Sequence, residues 1–219
     1  MIPVRHVVYL HGFASSPASS KAASFERALT ARGVGYSCPD FNQPAFETLT
    51  VTRMLAQVRE AIAAAAEGPV ALVGSSLGAF VALHAAAADT TGRVDRLVLL
   101  APAIDFGGNR LRQLGEHGID EWRRSGSLRL FHYGYNEPRE VGFALYEDAA
   151  RYDAFAVPVR HPALVVQGRQ DDLVDAAAVE RWASTRPMVD LRLVDDGHQL
   201  TASMPFIWQE SARLFGLDD

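Results

Sequence analysis

The sequence contains very little cysteine and very little lysine. Cys38 is the only cysteine and Lys21 the only lysine, and the other basic residues are arginines spread along the chain. One cysteine excludes an intrachain disulfide and a cysteine metal cluster, and it fits a reducing compartment. The formal net charge is -5 and no block of basic residues occurs. We therefore expect no nucleic-acid partner.

Long hydrophobic runs are also missing. No stretch approaches the roughly 18 to 20 apolar residues that cross a bilayer. The apolar stretch before His11, "VVYL", is too short for the hydrophobic region of a secretory signal. We therefore expect a cytoplasmic protein without a membrane partner; the sequence does not indicate an oligomeric state.

The composition and length are those of one globular domain. Hydrophobic residues make up 48% and charged residues 21%, as in ordinary globular proteins, and the length of 219 residues predicts a single domain over 1–219. Short β-rich runs alternate with helical patterns, as in a mostly parallel sheet with helices on both faces. The six predicted strands are 6–10, 34–38, 70–74, 96–101, 163–168 and 191–195. The predicted helices of the main fold are 17–32, 47–67, 77–88, 176–185 and 205–215.

The interval between Pro102 and Pro162 is too long for a simple crossover connection. We predict a small helical cap inserted at about 103–160, with a helix over 142–152. The insertion is rich in aromatic residues, which either line a substrate pocket or form the core of the cap. The candidate pocket residues are Trp122, Tyr133, Tyr135 and Tyr146.

The stretch "VALVGSSLGAF" at 70–80 contains the pattern G-x-S-x-G between a predicted strand and a predicted helix. In this context the pattern places the central serine on a sharp turn that only small neighbours permit. Ser76 is therefore the candidate nucleophile. Ser75 has the same chemistry but the wrong position in the pattern.

A serine nucleophile needs a histidine base and a carboxylate that orients the histidine. In sheets of this kind the partners follow in the order Ser, acid, His. His198 lies directly after the last predicted strand and is the candidate base. His84, inside a helix, cannot reach back to Ser76, His161 is at the wrong end of a strand, and His117 and His132 are expected on the cap surface. Asp171 is the candidate acid, with Asp105, one strand earlier, as the alternative.

The predicted reaction also needs backbone N–H donors for an oxyanion. "HGF" at 11–13 follows the first strand, so the N–H of Phe13 is one candidate donor. The N–H of Leu77, the residue after Ser76, is the second. We expect the side chain of His11 to hold this loop by hydrogen bonds and to have no catalytic role.

The stretches "HGF", "GSSLG", "GRQDD" and "DGH" occur in an order that resembles the α/β-hydrolase superfamily over nearly the whole chain. "YLHGFASSPASSKA" is similar to the start of small bacterial YqiA-type esterases. The resemblance implies a minimal form of this fold that hydrolyses small-molecule carboxylic esters or thioesters through an acyl-serine intermediate. It implies no cofactor, and the sequence contains no H-E-x-x-H motif for a metal site. Alternatives are an acyltransferase, a C–C hydrolase, a cofactor-free haloperoxidase or a catalytically silent binding module.

Overall fold

The structure, a computed structural model, describes residues 2–106 and 115–217. Part of the predicted insertion, 107–114, therefore lies outside the described residues. The strands in the described part are β1 (His6–Leu10), β2 (Gly35–Ser37), β3 (Val70–Ser75), β4 (Val94–Leu100), β5 (Ser127–His132), β6 (Glu137–Gly142), β7 (Ala163–Gly168) and β8 (Val189–Val194). The helices are α1 (Ser20–Thr30), α2 (Val51–Ala64), α3 (Leu77–Ala88), α4 (Gly115–Ser125), α5 (Ala144–Ala149), α6 (Ala176–Ser184) and α7 (Met204–Phe215).

Six strands form the main sheet, in the order β2-β1-β3-β4-β7-β8. All of their pairings are parallel, which confirms the predicted fold class. The connections after β1, β3, β7 and β8 therefore all start at the same edge of the sheet. This edge is where ligands bind in open α/β sheets.

The four central strands of the sheet, β1, β3, β4 and β7, are buried on both faces, and alternate side chains of a strand enter different cores. Val8 and Leu10 of β1 belong to the core that also contains side chains of α2, α3 and α6. Val7 and Tyr9 of the same strand belong to the core with α1 and α7. Helices thus cover both faces of the sheet.

Helix α3 is apolar except for His84, and Leu77 through Ala86 are buried. A helix with this composition is stable only when it is enclosed. It packs on β3 and β4 of the sheet and against α2. The helix that follows Ser76 is thereby held rigidly.

The insertion between β4 and β7 is not purely helical, which corrects the prediction of a helical cap. It contains α4 and α5, the latter near the helix predicted at 142–152, but also the antiparallel hairpin of β5 and β6. In β5, Arg129 and Phe131 are exposed while Leu128 and Leu130 are partly buried. This period of two is typical of a strand with one covered face.

The hairpin is fastened to the loop that follows β1. Gly134 N donates to Ala14 O at 3.1 Å, and a Cβ on Gly134 would lie 2.9 Å from the Ser15 carbonyl carbon. His132 is fully buried, so the prediction of a surface position for it is wrong. Its Nε2 and Asn42 Oδ1 are 3.0 Å apart, and Asn42 Nδ2 donates to Ser15 O. This hydrogen bond replaces those that the His132 side chain makes with water in the unfolded chain.

None of the helices within residues 2–106 and 115–217 has the length and apolar composition needed to span a membrane.

Candidate active site

Ser76 stands between the end of β3 and the first residue of α3, with φ 56° and ψ −115°. A positive φ is uncommon for a residue with a side chain, and such strain concentrates at functional sites. The backbone is held on both sides of the residue. Ser76 N donates to Leu100 O at 2.8 Å, and Ser76 O accepts from Ala103 N at 3.2 Å. The neighbouring strand β4 thus stabilises the turn.

Both glycines of the pattern are required by close backbone contacts. A Cβ on Gly74 would lie 2.5 Å from the backbone nitrogen of Ala79. A Cβ on Gly78 would lie 2.0 Å from the carbonyl oxygen of Leu10, at the end of β1. Since these contacts are with backbone atoms, a side-chain rotation cannot relieve them. The motif therefore brings β1, β3 and α3 together at one point.

We predict that Gly78→Ala lowers the free energy of unfolding by about 3 kcal/mol or more, because helix α3 must move away from β1. Thermal unfolding should show a Tm roughly 10 °C below wild type. Gly197→Ala is the matched control, because its Cβ would lie 3.8 Å from Gln170 O, an ordinary contact. Equal Tm values for the two variants would contradict the close packing of α3 on β1.

His198 joins Ser76 to Asp171. The Nε2 atom of His198 is 3.1 Å from Ser76 Oγ, and its Nδ1 atom is 2.9 Å from Asp171 Oδ2 and 3.1 Å from Oδ1. In the neutral imidazole with its proton on Nδ1, that nitrogen donates to the carboxylate and Nε2 accepts from the Ser76 hydroxyl. The structure therefore brings together the three side chains that the sequence predicts as nucleophile, base and acid.

The Asp171 carboxylate is fully buried and accepts several hydrogen bonds. Its Oδ1 accepts from the backbone N–H groups of Leu173 and Val174, and its Oδ2 accepts from Gln167 Nε2 at 3.0 Å. Burial opposes ionisation, but the hydrogen bonds from His198 and from the two backbone N–H groups outweigh it. They hold the pKa of Asp171 below its usual range. Asp171 is a carboxylate at neutral pH.

The loops that carry Asp171 and His198 pack closely at Gly168. A Cβ on Gly168 would lie 2.3 Å from Asp196 O and 2.8 Å from Gly197 O. Asp196 accepts hydrogen bonds from the N–H and hydroxyl of Ser203, so its side chain orders the His198 loop. The adjacent Asp172 is exposed and makes no contact of this kind in the described part of the chain.

The two predicted oxyanion donors belong to segments that lie beside Ser76. Leu77 is the first residue of α3, where N–H groups have no acceptor within the helix. Phe13 follows Gly12, whose Cβ would lie only 3.4 Å from Ser76 Cβ. His11 holds this loop, because its Nε2 accepts from Phe41 N at 3.0 Å and its Nδ1 bonds to Gly12 O at 2.9 Å. This is the structural role that the sequence predicts for His11.

A cavity of about 400 Å³ opens at Ser76. Of the four predicted pocket residues, Tyr133 lines it and the other three do not. Trp122 is buried in the core and donates from its indole nitrogen to Val141 O, while Tyr146 packs against the same ring. Tyr135 stacks on His132. These three rings are structural parts of the cap, which corrects their prediction as pocket residues. The cavity is lined by Tyr9, Gly12, Phe13, Ala14, Ser15, Ser19, Ser20, Lys21, Ser75, Ser76, Leu130, Phe131, Tyr133, Leu173, His198 and Gln199.

Two polar residues at this site were not predicted from the sequence. Gln167 lies inside β7 with its side chain fully buried, and Lys21 lies in the first turn of α1. A glutamine within the apolar run "ALVVQG" was a signal for Gln167, because a buried amide requires a polar partner. No sequence pattern indicated that Lys21 lies at the site, although it is the only lysine of the chain.

Comparison with known proteins agrees with this fold. Cattle (Bos taurus) palmitoyl-protein thioesterase ABHD10, mitochondrial, is 27% identical over 202 residues, which cover 87% of this chain and 66% of that protein. The chain thus spans just under two thirds of the length of this relative. Among solved structures, mouse alpha/beta hydrolase domain-containing protein 10 matches with a TM-score of 0.80 and 22% identity, covering 100% of this chain and 93% of the other. Est1E from Butyrivibrio proteoclasticus, solved with ferulic acid, matches with a TM-score of 0.78 and 18% identity, covering 98% and 90%.

The sequence also matches a protein family over almost its whole length. The family is described as "Uncharacterised protein family (UPF0227)", and the match covers residues 6–213. The predicted resemblance to α/β hydrolases of the YqiA type is confirmed. The chain belongs to the UPF0227 family and has the α/β-hydrolase fold.

Proposed function

We propose that the protein is a serine hydrolase that cleaves carboxylic esters or thioesters of small to medium acyl groups. The observation that carries this proposal is the position of His198 between Ser76 Oγ and the Asp171 carboxylate. Proteins of related sequence or fold add support, since one is named a thioesterase and another was solved with ferulic acid. A binding module would not need a buried carboxylate hydrogen-bonded to this histidine.

In the first half of the reaction, Ser76 Oγ attacks the carbonyl carbon while His198 Nε2 takes the hydroxyl proton. Asp171 orients the imidazole and stabilises the imidazolium that forms. The N–H groups of Phe13 and Leu77 donate to the oxyanion. The bond to the alcohol or thiol then breaks, and the leaving group takes the proton from His198.

In the second half, water attacks the acyl-serine while His198 accepts a proton from it. The bond between the acyl carbon and Ser76 Oγ breaks, and His198 returns the proton to the serine. The products are the free acid and the regenerated enzyme. Since Phe13, Leu130, Phe131 and Leu173 line the cavity, an apolar acyl or alcohol group fits beside Ser76.

We expect the purified protein to hydrolyse p-nitrophenyl esters from acetate to medium chain length, and the corresponding acyl thioesters, with saturation kinetics. Release of p-nitrophenol or thiol measures turnover, and mass spectrometry of the acyl product separates free acid from an acyl group transferred to an added alcohol or amine. Absence of turnover over the whole series with folded protein would contradict the proposal. Preferential transfer to the added nucleophile would instead identify an acyltransferase.

A further inference from the structure

The cavity at Ser76 is apolar on the side of the hairpin and polar near α1. Leu130 and Phe131 of β5 supply apolar surface. The polar residues come from the segment that leads into α1 and from the His198 loop. They are Ser15, Ser19, Ser20, Lys21 and Gln199.

Lys21 is the cationic residue of this polar part, and its ammonium group is not neutralised by a direct partner. Its Nζ donates to Gln199 O at 2.9 Å and to Gln199 Oε1 at 3.3 Å. Within residues 2–106 and 115–217 it forms no ion pair at 4.0 Å or less. An ammonium group has three donors, so one N–H remains for a ligand in the cavity.

Burial lowers the pKa of Lys21 to about 8, and the charges of Asp196 and Asp171 partly oppose this effect. Lys21 is therefore mainly an ammonium at neutral pH. Holding a half-buried cation without an ion-pair partner costs desolvation free energy. An uncharged glutamine could make similar hydrogen bonds to Gln199 without this cost, so these hydrogen bonds alone do not require a cation at this position.

We propose that this polar part of the cavity binds a carboxylate group of the substrate, and that Lys21 makes the enzyme select anionic esters or thioesters over neutral ones. The Lys21 ammonium donates to the carboxylate, and the hydroxyls of Ser19 and Ser20 are further donors. The ester bond then lies at Ser76 in the same cavity. This inference rests on the proposed hydrolase function and specifies its substrate class.

The test compares matched esters that differ in one charge. For the acyl side, the pair is the 4-methylumbelliferyl monoester of adipic acid and 4-methylumbelliferyl hexanoate. For the alcohol side, the pair is the butyrate ester of 4-hydroxybenzoate and that of 4-hydroxybenzamide. The quantity measured is the ratio of kcat/KM for the anionic ester to that for the neutral ester. Replacing Lys21 removes its hydrogen bonds to Gln199 and could displace the neighbouring His198. Such a displacement lowers kcat/KM for both esters of a pair and leaves their ratio unchanged.

We expect the wild type to prefer the anionic ester in at least one pair, and Lys21→Met and Lys21→Gln to reduce that ratio about tenfold, the value of one charged hydrogen bond. Lys21→Arg should keep most of the preference. Arg27→Met removes the same charge from the exposed last turn of α1 and should keep the wild-type ratio. A ratio that does not change in Lys21→Gln, or no preference in either pair, would overturn the proposal and leave Lys21 as a tether for the His198 loop.

The pH dependence of the wild-type ratio tests the same proposal without a variant. The preference should fall between pH 7 and pH 9, because Lys21 loses its proton near pH 8. Among the described residues, the other titratable groups that line this cavity are Tyr9, Tyr133 and His198, and the charges of Asp171 and Asp196 act on Lys21. The carboxylates stay ionised over this range, and His198 acts on both esters equally. A constant ratio would contradict the role of Lys21. If neutral esters are hydrolysed in a Ser76-dependent way, the hydrolase function stands whatever the ratio.

Discussion

Replacing Ser76 with alanine is expected to reduce kcat by roughly 10⁵-fold or more, since removal of an activated serine leaves only binding and oxyanion stabilisation. The fold should persist, because alanine bears the strain of φ 56° at this turn about as well as serine. Steady-state hydrolysis of p-nitrophenyl butyrate, together with circular dichroism and a thermal melt, measures both properties.

Ser75→Ala is the matched control for this variant. Ser75 is the neighbouring buried serine and the last residue of β3, but the hydrogen bond to His198 Nε2 comes from Ser76. This variant should keep most of the activity. Wild-type rates in Ser76→Ala, or a complete loss confined to Ser75→Ala, would show that Ser76 is not the nucleophile.

Asp171→Asn is expected to lower kcat by about 10³- to 10⁴-fold, because an amide neither stabilises the imidazolium nor fixes the tautomer with the proton on Nδ1. The effect follows from the contact with His198 Nδ1 at 2.9 Å. The pKa of Asp171 is held below its usual range, so the native group is the carboxylate that the substitution removes. The rate at neutral pH with a saturating ester measures the loss.

Asp105→Asn tests the alternative acid that follows β4, and Asp172→Asn tests the exposed neighbour of Asp171. Both should have small effects, since His198 Nδ1 donates its hydrogen bond to the Asp171 carboxylate. A large loss in Asp105→Asn with little change in Asp171→Asn would move the acid to the earlier strand.

The sheet and the proposed triad could be predicted because their sequence signals are local. Short apolar strands such as "VALVG" are buried on both faces, and the G-x-S-x-G turn permits few other conformations. The chain order Ser, acid, His then limited the remaining choice to loops after strands. Loops at the same edge of a parallel sheet meet because of the topology, and no long-range information was required.

The cap and the polar part of the cavity depend on contacts between distant segments. The aromatic residue type alone gave no indication of which ring faces the cavity, since Trp122 is buried and Tyr133 is exposed. The hairpin had only a weak local signal, Leu128 and Leu130 on either side of Arg129 and then Gly134, and the prediction treated the insertion as a helical cap. Lys21 lies at the site because the fold brings α1 against the loop that carries Gln199, 178 residues further along the chain.

The measurement that tests the central claim most directly is intact-mass spectrometry after treatment with a fluorophosphonate. These reagents modify a serine that is activated by a neighbouring base. The proposed triad predicts a single adduct on the wild-type protein and none on folded Ser76→Ala or His198→Ala. An absent adduct on folded wild type, or one that persists in Ser76→Ala, would contradict the triad and favour a binding module.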